Sequence, residues 1–472
     1  MSKKRVCGLL TAAALLLSCL GVSGCAAKQA AVEPMEPEEV NALTFDAIGG
    51  ADVMPIAGYY GPHLSDYCYN GERQPSFVTD EFMKLTAESG INLLNHSYLD
   101  YSASAKAVHD LLDYGEKYGV GICVYDAKVA GALGDSTPSL TMTAEQIAAY
   151  SRHPAFCGLY VADEPQWAGF HLGDGTRTID LYAPSLQNLS TLGVYGYVNA
   201  LPDYNGKPEQ YRAYLREMIA EMDLPYLSVD AYIWDKSNMD FHNYFYIMDE
   251  VRDAALEANI PFWTFVQTGS QWNDGQKHFD SDPNYVLNNK QFQWTVSVNL
   301  AWGVQGIQYF TLIQPYHFSW ALTEPFDFNR NGMVGAWGNI NEWYYYAQES
   351  NRQIAAVDEV LMHAKSKGVL VYGDRAKQDT AGLKGIIQAD GWRELVDLEA
   401  TGDVMVGCFN YQGKTALYVV NYDYEYAQDI TLKLNKKHNV TVIYDAETEH
   451  YSAKNLTLPM QAGYGALIVI DD

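Results

Sequence analysis

Basic residues are scarce in this sequence, which sets 31 Lys and Arg against 58 Asp and Glu for a formal net charge of −27 at pH 7. Lys3, Lys4 and Arg5 sit together at the start, and nothing basic clusters elsewhere. Nucleic acid and anionic lipid surfaces are therefore excluded as electrostatic partners, and a polyanionic substrate is disfavoured. Cysteine is thin as well: there are seven, none at CxxC spacing, so neither a zinc site nor a disulfide scaffold is expected. Cys123 and Cys157 fall inside apolar segments and read as buried free thiols. His63, His96 and His317 lack metal-ligand spacing. The segment 327–332 imitates the start of a calcium loop but has Gly338 where a bidentate Glu is needed. No metal and no cofactor is expected.

Only one apolar run concerns a membrane, residues 9–20 behind the three basic residues, and it is too short to span with stable flanks. It closes with Val22-Ser23-Gly24-Cys25, which resembles the bacterial lipobox. That resemblance implies a signal peptide over 1–24 and lipidation of Cys25. The mature chain is then extracytoplasmic and anchored to a bacterial membrane or cell surface by lipid alone. Residues 25–44 are rich in Ala, Glu and Pro, have no periodicity, and read as a tether.

Eight short apolar segments follow, beginning near Met54, Ile91, Gly121, Phe156, Val194, Tyr226, Phe262 and Gly306. They are separated by roughly 30–45 residues, the length of a βα unit, and together cover about 250 residues, a whole barrel. Near-continuous apolar strands are the mark of a parallel sheet buried on both faces. Between them lie stretches with apolar residues at three- and four-residue intervals, and Thr143 to Gln146 has capping-box spacing. The reading is a (β/α)8 barrel over 45–363. From Gly368 onward the texture changes to short alternating strands, among them 383–388, 430–434 and 439–445, with turn residues between them. An antiparallel β-sandwich domain is expected over 364–472, with no catalytic constellation of its own.

In such a barrel the chemistry sits where the strands end. The fourth segment ends in Asp163-Glu164-Pro165, an adjacent acid pair. The other strand ends offer Tyr59, Asn95, His96, Asp126, Asn199, Asp230, Tyr232 and Gln267. Trp167, Trp234, Trp272 and Trp320 lie in the loops that follow. Carboxyls, amides and aromatic rings around one rim suit a sugar, whose hydroxyls need hydrogen bonds and whose C–H faces stack on rings. Tyr59, Asn95, His96, Asn199, Tyr232, Gln267, Trp167 and Trp272 are the candidate substrate contacts. Asp230 stands evenly between a catalytic and a structural role, and Asp126 reads as structural.

The stretches 158–165, 198–199, 227–232, 260–267 and 302–310, with the helix around Asn351 and the C-terminal strands, resemble secreted glycoside-hydrolase barrels over nearly all of the mature chain. The resemblance to the retaining glycosidase clan implies that Glu164, ending strand 4, is the general acid/base. The clan's nucleophile is a glutamate ending strand 7, and Gln267 stands there instead. The Asp163-Glu164 pair also resembles the dyad of hexosaminidase families 20 and 123, in which an aspartate orients the substrate's acetamido group. Asp230 is the remaining candidate for a second carboxyl. A glycoside hydrolase is expected, with a non-catalytic glycan-binding barrel as the alternative; a two-lobed solute-binding lipoprotein fits the segment order less well.

Overall fold

The computed structural model describes residues 32–64, 68–69, 72–97, 99–130, 143–165, 179–203, 206–234, 239–269, 287–314 and 332–471. The fold lies within the unit Pro34–Asp472. All eight expected barrel strands are present: β1 (Ile56–Tyr59), β2 (Leu93–Leu94), β3 (Gly121–Val124), β4 (Phe156–Asp163), β5 (Tyr195–Asn199), β6 (Leu227–Val229), β7 (Phe262–Gln267) and β8 (Ile307–Phe310). Successive strands pair in parallel, and β8 returns to β1 with Ile307 opposite Ile56. The ring closes between β5 and β6 through a parallel bridge from Ala200 to Val229, where the Ala200 N–H donates to the Ser228 carbonyl at 2.8 Å.

Helices return the chain between strands: α1 (Asp80–Glu88), α2 (Tyr101–Tyr118), α3 (Ile179–Thr191), α4 (Pro208–Met222), α5 (Phe241–Ala258), α6 (Asn289–Trp302) and α7 (Glu342–Met362). Their starts follow local capping chemistry. Thr79, Asp100, Asp240 and Asn288 each accept a backbone N–H of the first turn, which begins α2 and α5 about three residues before their apolar periodicity does. The capping box at Thr143 forms, its N–H donating to Gln146 Oε1 at 2.6 Å, but the helix it opens lasts only from Ala144 to Ile147.

The barrel interior is aromatic. Phe45 and Ile48, from a short turn ahead of β1, close its N-terminal end, with the Phe45 ring 5.1 Å from Tyr195 and 6.3 Å from Trp263. Tyr160 and Tyr197 stack at 5.6 Å nearer the mouth. Ring faces this large fill a barrel that aliphatic layers usually fill. Cys123 and Cys157 are buried among them as free thiols, the latter pushed up to about 12 by burial.

The C-terminal domain is antiparallel, as expected, and its layers belong to one curled sheet. Its strands are β9 (Ala364–Tyr372), β10 (Leu395–Glu399), β11 (Val404–Tyr411), β12 (Lys414–Asn421), β13 (Gln428–Tyr444), β14 (Glu447–Met460) and β15 (Gly465–Ile470), in the order β9-β11-β12-β15-β13-β10 with β14 on β13. Two segments expected as separate strands, 430–434 and 439–445, are one strand, because an irregularity between Lys433 and His438 bends β13 without breaking its ladder to β14. The segment 383–388, expected as a strand, meets the sheet only at Ile386. Its Lys384 and Gly385 N–H groups are taken at 2.8 Å by the Asp249 carboxylate on α5.

Period-two alternation divides the sheet between two cores. Val404, Val406, Cys408, Leu417 and Val419 face the curl's own interior, whereas Met405, Phe409, Tyr418, Val420 and Leu467 join the barrel core. The barrel's contribution is α6, buried on every side from Gln291 to Trp302, as expected of a helix held between two layers. Contact is close enough that a Cβ at Gly407 would lie 2.2 Å from the Ala301 carbonyl oxygen. The stretch expected as a tether is held from Glu36 onward: Asn410 Nδ2 donates to the Glu36 carbonyl at 2.8 Å, and Glu38 pairs with Lys367.

Candidate active site

The C-terminal ends of β1, β4, β5 and β6 converge on three carboxyls. Asp163 is the last residue of β4, and its direction depends on a bulge: Tyr160 pairs with Tyr197, Val161 is skipped, and Asp163 comes opposite Asn199. Bulges re-aim side chains in this way at barrel rims. Asp163 Oδ2 accepts from Tyr59 Oη at 2.8 Å and Oδ1 from Asn199 Nδ2 at 3.3 Å. The next residue, Glu164, has φ of 47°, in the left-handed region that a non-glycine residue rarely adopts, and its N–H is bonded to the Asn199 carbonyl at 3.0 Å. That turn faces Glu164 toward Asp230, just past β6, near enough for the charge of one carboxyl to act on the other. Asp230 Oδ1 also accepts from Asn199 Nδ2 at 2.8 Å.

Two adjacent carboxylates repel, so the pair Glu164 and Asp230 resists ionising together. Burial, then the charges of Glu164 and Asp163, push Asp230 well above the usual carboxylate range; Asn199 partly offsets them. Asp163 is raised by burial and drawn back by Tyr59, Asn199 and the Glu164 amide. It stands open to the mouth although protein surrounds it, so solvent screens part of that desolvation. Beneath lie Tyr59, whose hydroxyl also meets Tyr160 Oη at 3.2 Å, and His96, stacked on Tyr59 at 5.2 Å.

Half-buried rings line the opposite side. Tyr232 lies 5.6 Å from Phe310, which lies 5.4 Å from Tyr60. Phe310 was not among the residues expected from sequence; it ends β8 two positions after the inward-facing Gln308, and that alternation was the available signal. Tyr60, like Glu164, is turned by a left-handed φ, here 57°.

Other expected residues hold structure. Asn95 is fully buried and donates to Gln308 Oε1 at 2.6 Å, below the mouth. Gln267 ends β7, but its amide is committed to backbone: Oε1 accepts from Trp234 N at 3.1 Å, and Nε2 donates to the Trp234 and Gly269 carbonyls at 3.0 and 3.1 Å. Trp234 is buried at the junction with the C-terminal domain, its Nε1 donating to Thr295 Oγ1 at 2.7 Å, and offers no ring to a sugar. Asp126 accepts from Tyr150 Oη at 3.0 Å and from the Lys128 N–H at 3.1 Å, a turn-capping role. Trp167, Trp272, Trp320, His317, the 327–331 stretch and Cys25 lie outside the described residues. Among the described residues no His, Cys, Asp and Glu form a group able to hold a metal ion. A hollow of about 330 Å³ at the N-terminal end of the barrel has one carboxyl in its lining, Asp223, and that is bonded to Ser190.

No family model matches this chain, and no curated protein does. Among solved structures it is similar to a family 27 β-L-arabinopyranosidase from Geobacillus stearothermophilus, with 10% identity, 91% of this chain and 99% of that one covered, and a TM-score of 0.44. It is also similar to a family 30 subfamily 8 xylanase from Clostridium acetobutylicum, with 9% identity, 89% and 96% covered, and a TM-score of 0.41. A family 51 α-L-arabinofuranosidase from Bifidobacterium longum shows 12% identity, 93% and 97% covered, and a TM-score of 0.40. None of these likenesses assigns a residue or a substrate to this chain.

Proposed function

We propose that this chain is a glycoside hydrolase acting on a neutral glycan or oligosaccharide, with Glu164 as general acid/base and Asp230 as the second carboxyl. The observation that carries the proposal is the convergence of Asp163, Glu164 and Asp230 at one mouth, where a single Asn199 amide donates to both aspartates. It keeps a proton at the mouth at a pH where isolated carboxyls are ionised, and a glycosidic oxygen needs such a proton to leave. Asp163, held by Tyr59 and Asn199, then supplies fixed negative charge toward an oxocarbenium-like transition state. Inverting enzymes hold the two carboxyls roughly 6.5–9.5 Å apart and retaining ones about 5–5.5 Å, so the stereochemistry of the product reads the working separation of Glu164 and Asp230. Three acids in one mouth also disfavour anionic sugars, and Tyr60, Tyr232 and Phe310 offer faces on which a neutral ring stacks.

Hydrolysis of a broad panel of aryl glycosides and plant or gut glycans tests the proposal. Turnover that is lost in Glu164→Gln supports it, and absence of turnover on every substrate rejects it. A second reading, glycan binding without cleavage, is favoured by Gln267, which puts a fully committed amide where the clan's nucleophile would stand. Calorimetric binding of a glycan that is not cleaved would select it. Either activity is proposed to work outside the cytoplasm, tethered through a lipid on Cys25.

A further inference from the structure

We infer that Asn199 is a positioning residue, its amide locked by a one-way relay through Asn95, Gln308 and Ser228 so that a single nitrogen holds both Asp163 and Asp230. The inference rests on the reading of those acids as the reacting groups of a glycosidase. The relay runs across the barrel interior between four different strands, from Asn95 just past β2 through Gln308 in β8 and Ser228 in β6 to Asn199 at the end of β5. Asn95 Nδ2 donates to Gln308 Oε1 at 2.6 Å, Gln308 Nε2 donates to Ser228 Oγ at 2.7 Å, and Ser228 Oγ donates to Asn199 Oδ1 at 2.7 Å. Asn199 Nδ2 is thereby left to face Asp230 Oδ1 at 2.8 Å and Asp163 Oδ1 at 3.3 Å. All four relay side chains are at most 1% exposed, so water does not compete for any link.

The direction of each link follows from the chemistry of its ends. Amide oxygen and nitrogen are distinguished by their partners, and here the partners at the mouth are carboxylate oxygens, which accept. A reversed Asn199 would set its carbonyl against two acids and its NH2 against Ser228. Ser228 would then accept from both Gln308 Nε2 and Asn199 Nδ2, and its own proton would lose the Asn199 acceptor. A relay satisfied in one direction only fixes an amide that no packing contact distinguishes from its flipped form.

The consequence is control of the proton. Donation from Asn199 favours the ionised forms of Asp163 and Asp230 and opposes their burial. It also occupies Oδ1 of Asp230, which leaves the other oxygen for Glu164. Among the described residues the other titratable groups facing the acids are Tyr59 from β1, His96 after β2, Tyr160 from β4 and Glu164 just after it, Tyr197 from β5, Tyr226 ahead of β6, and Tyr211 and Tyr214 from α4. The tyrosines are held well above their ordinary value by burial and stay neutral through the working range. The relay therefore acts through the carboxyls and not through the tyrosines.

Ser228 touches neither acid, so Ser228→Ala in the full chain tests the relay. With its donor gone, Asn199 is free to turn, and the protonated-carboxyl infrared band should titrate upward by on the order of one pH unit. The basic limb of the pH–rate profile should move the same way, and Ser228→Thr should restore both. If Ser228→Ala does not fold, Ser228→Cys, a weaker donor of similar shape, carries the same expectation. A variant that loses thermal stability while its carboxyl band titrates as in the wild type overturns the inference. The infrared titration needs no turnover, so a wild type that cleaves no glycan ends the glycosidase reading and leaves the relay to be decided by the titration.

Discussion

Asp163 stands opposite Asn199 across the β4–β5 pair because β4 passes over Val161 without pairing it. Strict alternation from the inward-facing Tyr160 would send Ala162 toward the mouth and Asp163 toward the helices. One unpaired residue reverses that order, and the left-handed Glu164 after it completes a turn that aims two consecutive acids into the same space.

Loss of the Glu164 proton should be read in the leaving group. Glu164→Gln is expected to lower turnover by about 10²–10⁴ on natural glycans, in line with removal of general acid catalysis. Aryl glycosides with good leaving groups should suffer far less in bond breaking. Steady-state rates on a matched leaving-group series check this, and an unchanged natural-glycan rate would reject the assignment.

Asp230 should trade stability for chemistry. Its folded-state pKa lies above its unfolded value, so the folded chain binds the proton more tightly. That contribution is full below the unfolded value of about 4 and is lost as pH rises through the folded value. Asp230→Asn keeps an acceptor for Asn199 and a donor for Glu164 without the charge. It is expected to be more stable than wild type by about 1–2 kcal/mol at pH 7, with the difference gone by about pH 4. Calorimetric melting at the two pH values measures it; a difference that persists in acid would contradict the shift.

Restoring a carboxylate at the end of β7 should not restore a nucleophile. In Gln267→Glu the side chain can no longer donate to the Trp234 and Gly269 carbonyls, and the acid would press against both. Destabilisation of about 2–4 kcal/mol is expected, from two buried acceptors left without donors and a buried charge, with no gain in turnover. Denaturant unfolding and a rate assay together check it.

The C-terminal sheet should be inseparable from the barrel. A chain ending at His363 would expose Trp294, Trp302 and Phe245, each of which buries a large apolar face against that sheet or the segment leading into it, at a cost of about 1.5–3 kcal/mol per side chain. Aggregation on size-exclusion chromatography is expected. Gly407→Ala is the point-mutation counterpart: its methyl meets the Ala301 backbone, and a loss of at least about 3 kcal/mol should follow from overpacking against a rigid helix.

Lipidation has its own test. A fatty-acid analogue should label the wild type and not Cys25→Ala when the chain is expressed in a bacterial host; equal labelling of both would remove the lipobox reading.

Much of this was legible in the residues. The eight strand segments, the change of texture after the last barrel helix, and the acid pair closing β4 are local patterns, set by apolar runs and by where they stop. Strand 8 and the second half of β13 were found for the same reason. Two features were not: the bulge at Val161 and the commitment of Gln267 to Trp234. Each depends on which residue lies across a strand boundary, and nothing in the local sequence of one strand records its partner's register.

Ser228, Asn95 and Gln308 show that limit most plainly. Each is a polar residue in an otherwise apolar strand, visible as such in the chain, and each reads alone as a sugar contact or a tolerated defect. Their joint meaning depends on distances between strands far apart in sequence, with Asn95 and Gln308 separated by 213 positions. The amino-acid order by itself determined that acids would stand at the ends of β4 and β6 and that the barrel would close, because hydrophobic periodicity is a short-range property. Only the tertiary structure decided which acids come together and which amide holds them, because a hydrogen bond exists only where two groups come within about 3 Å with the right donor facing the right acceptor.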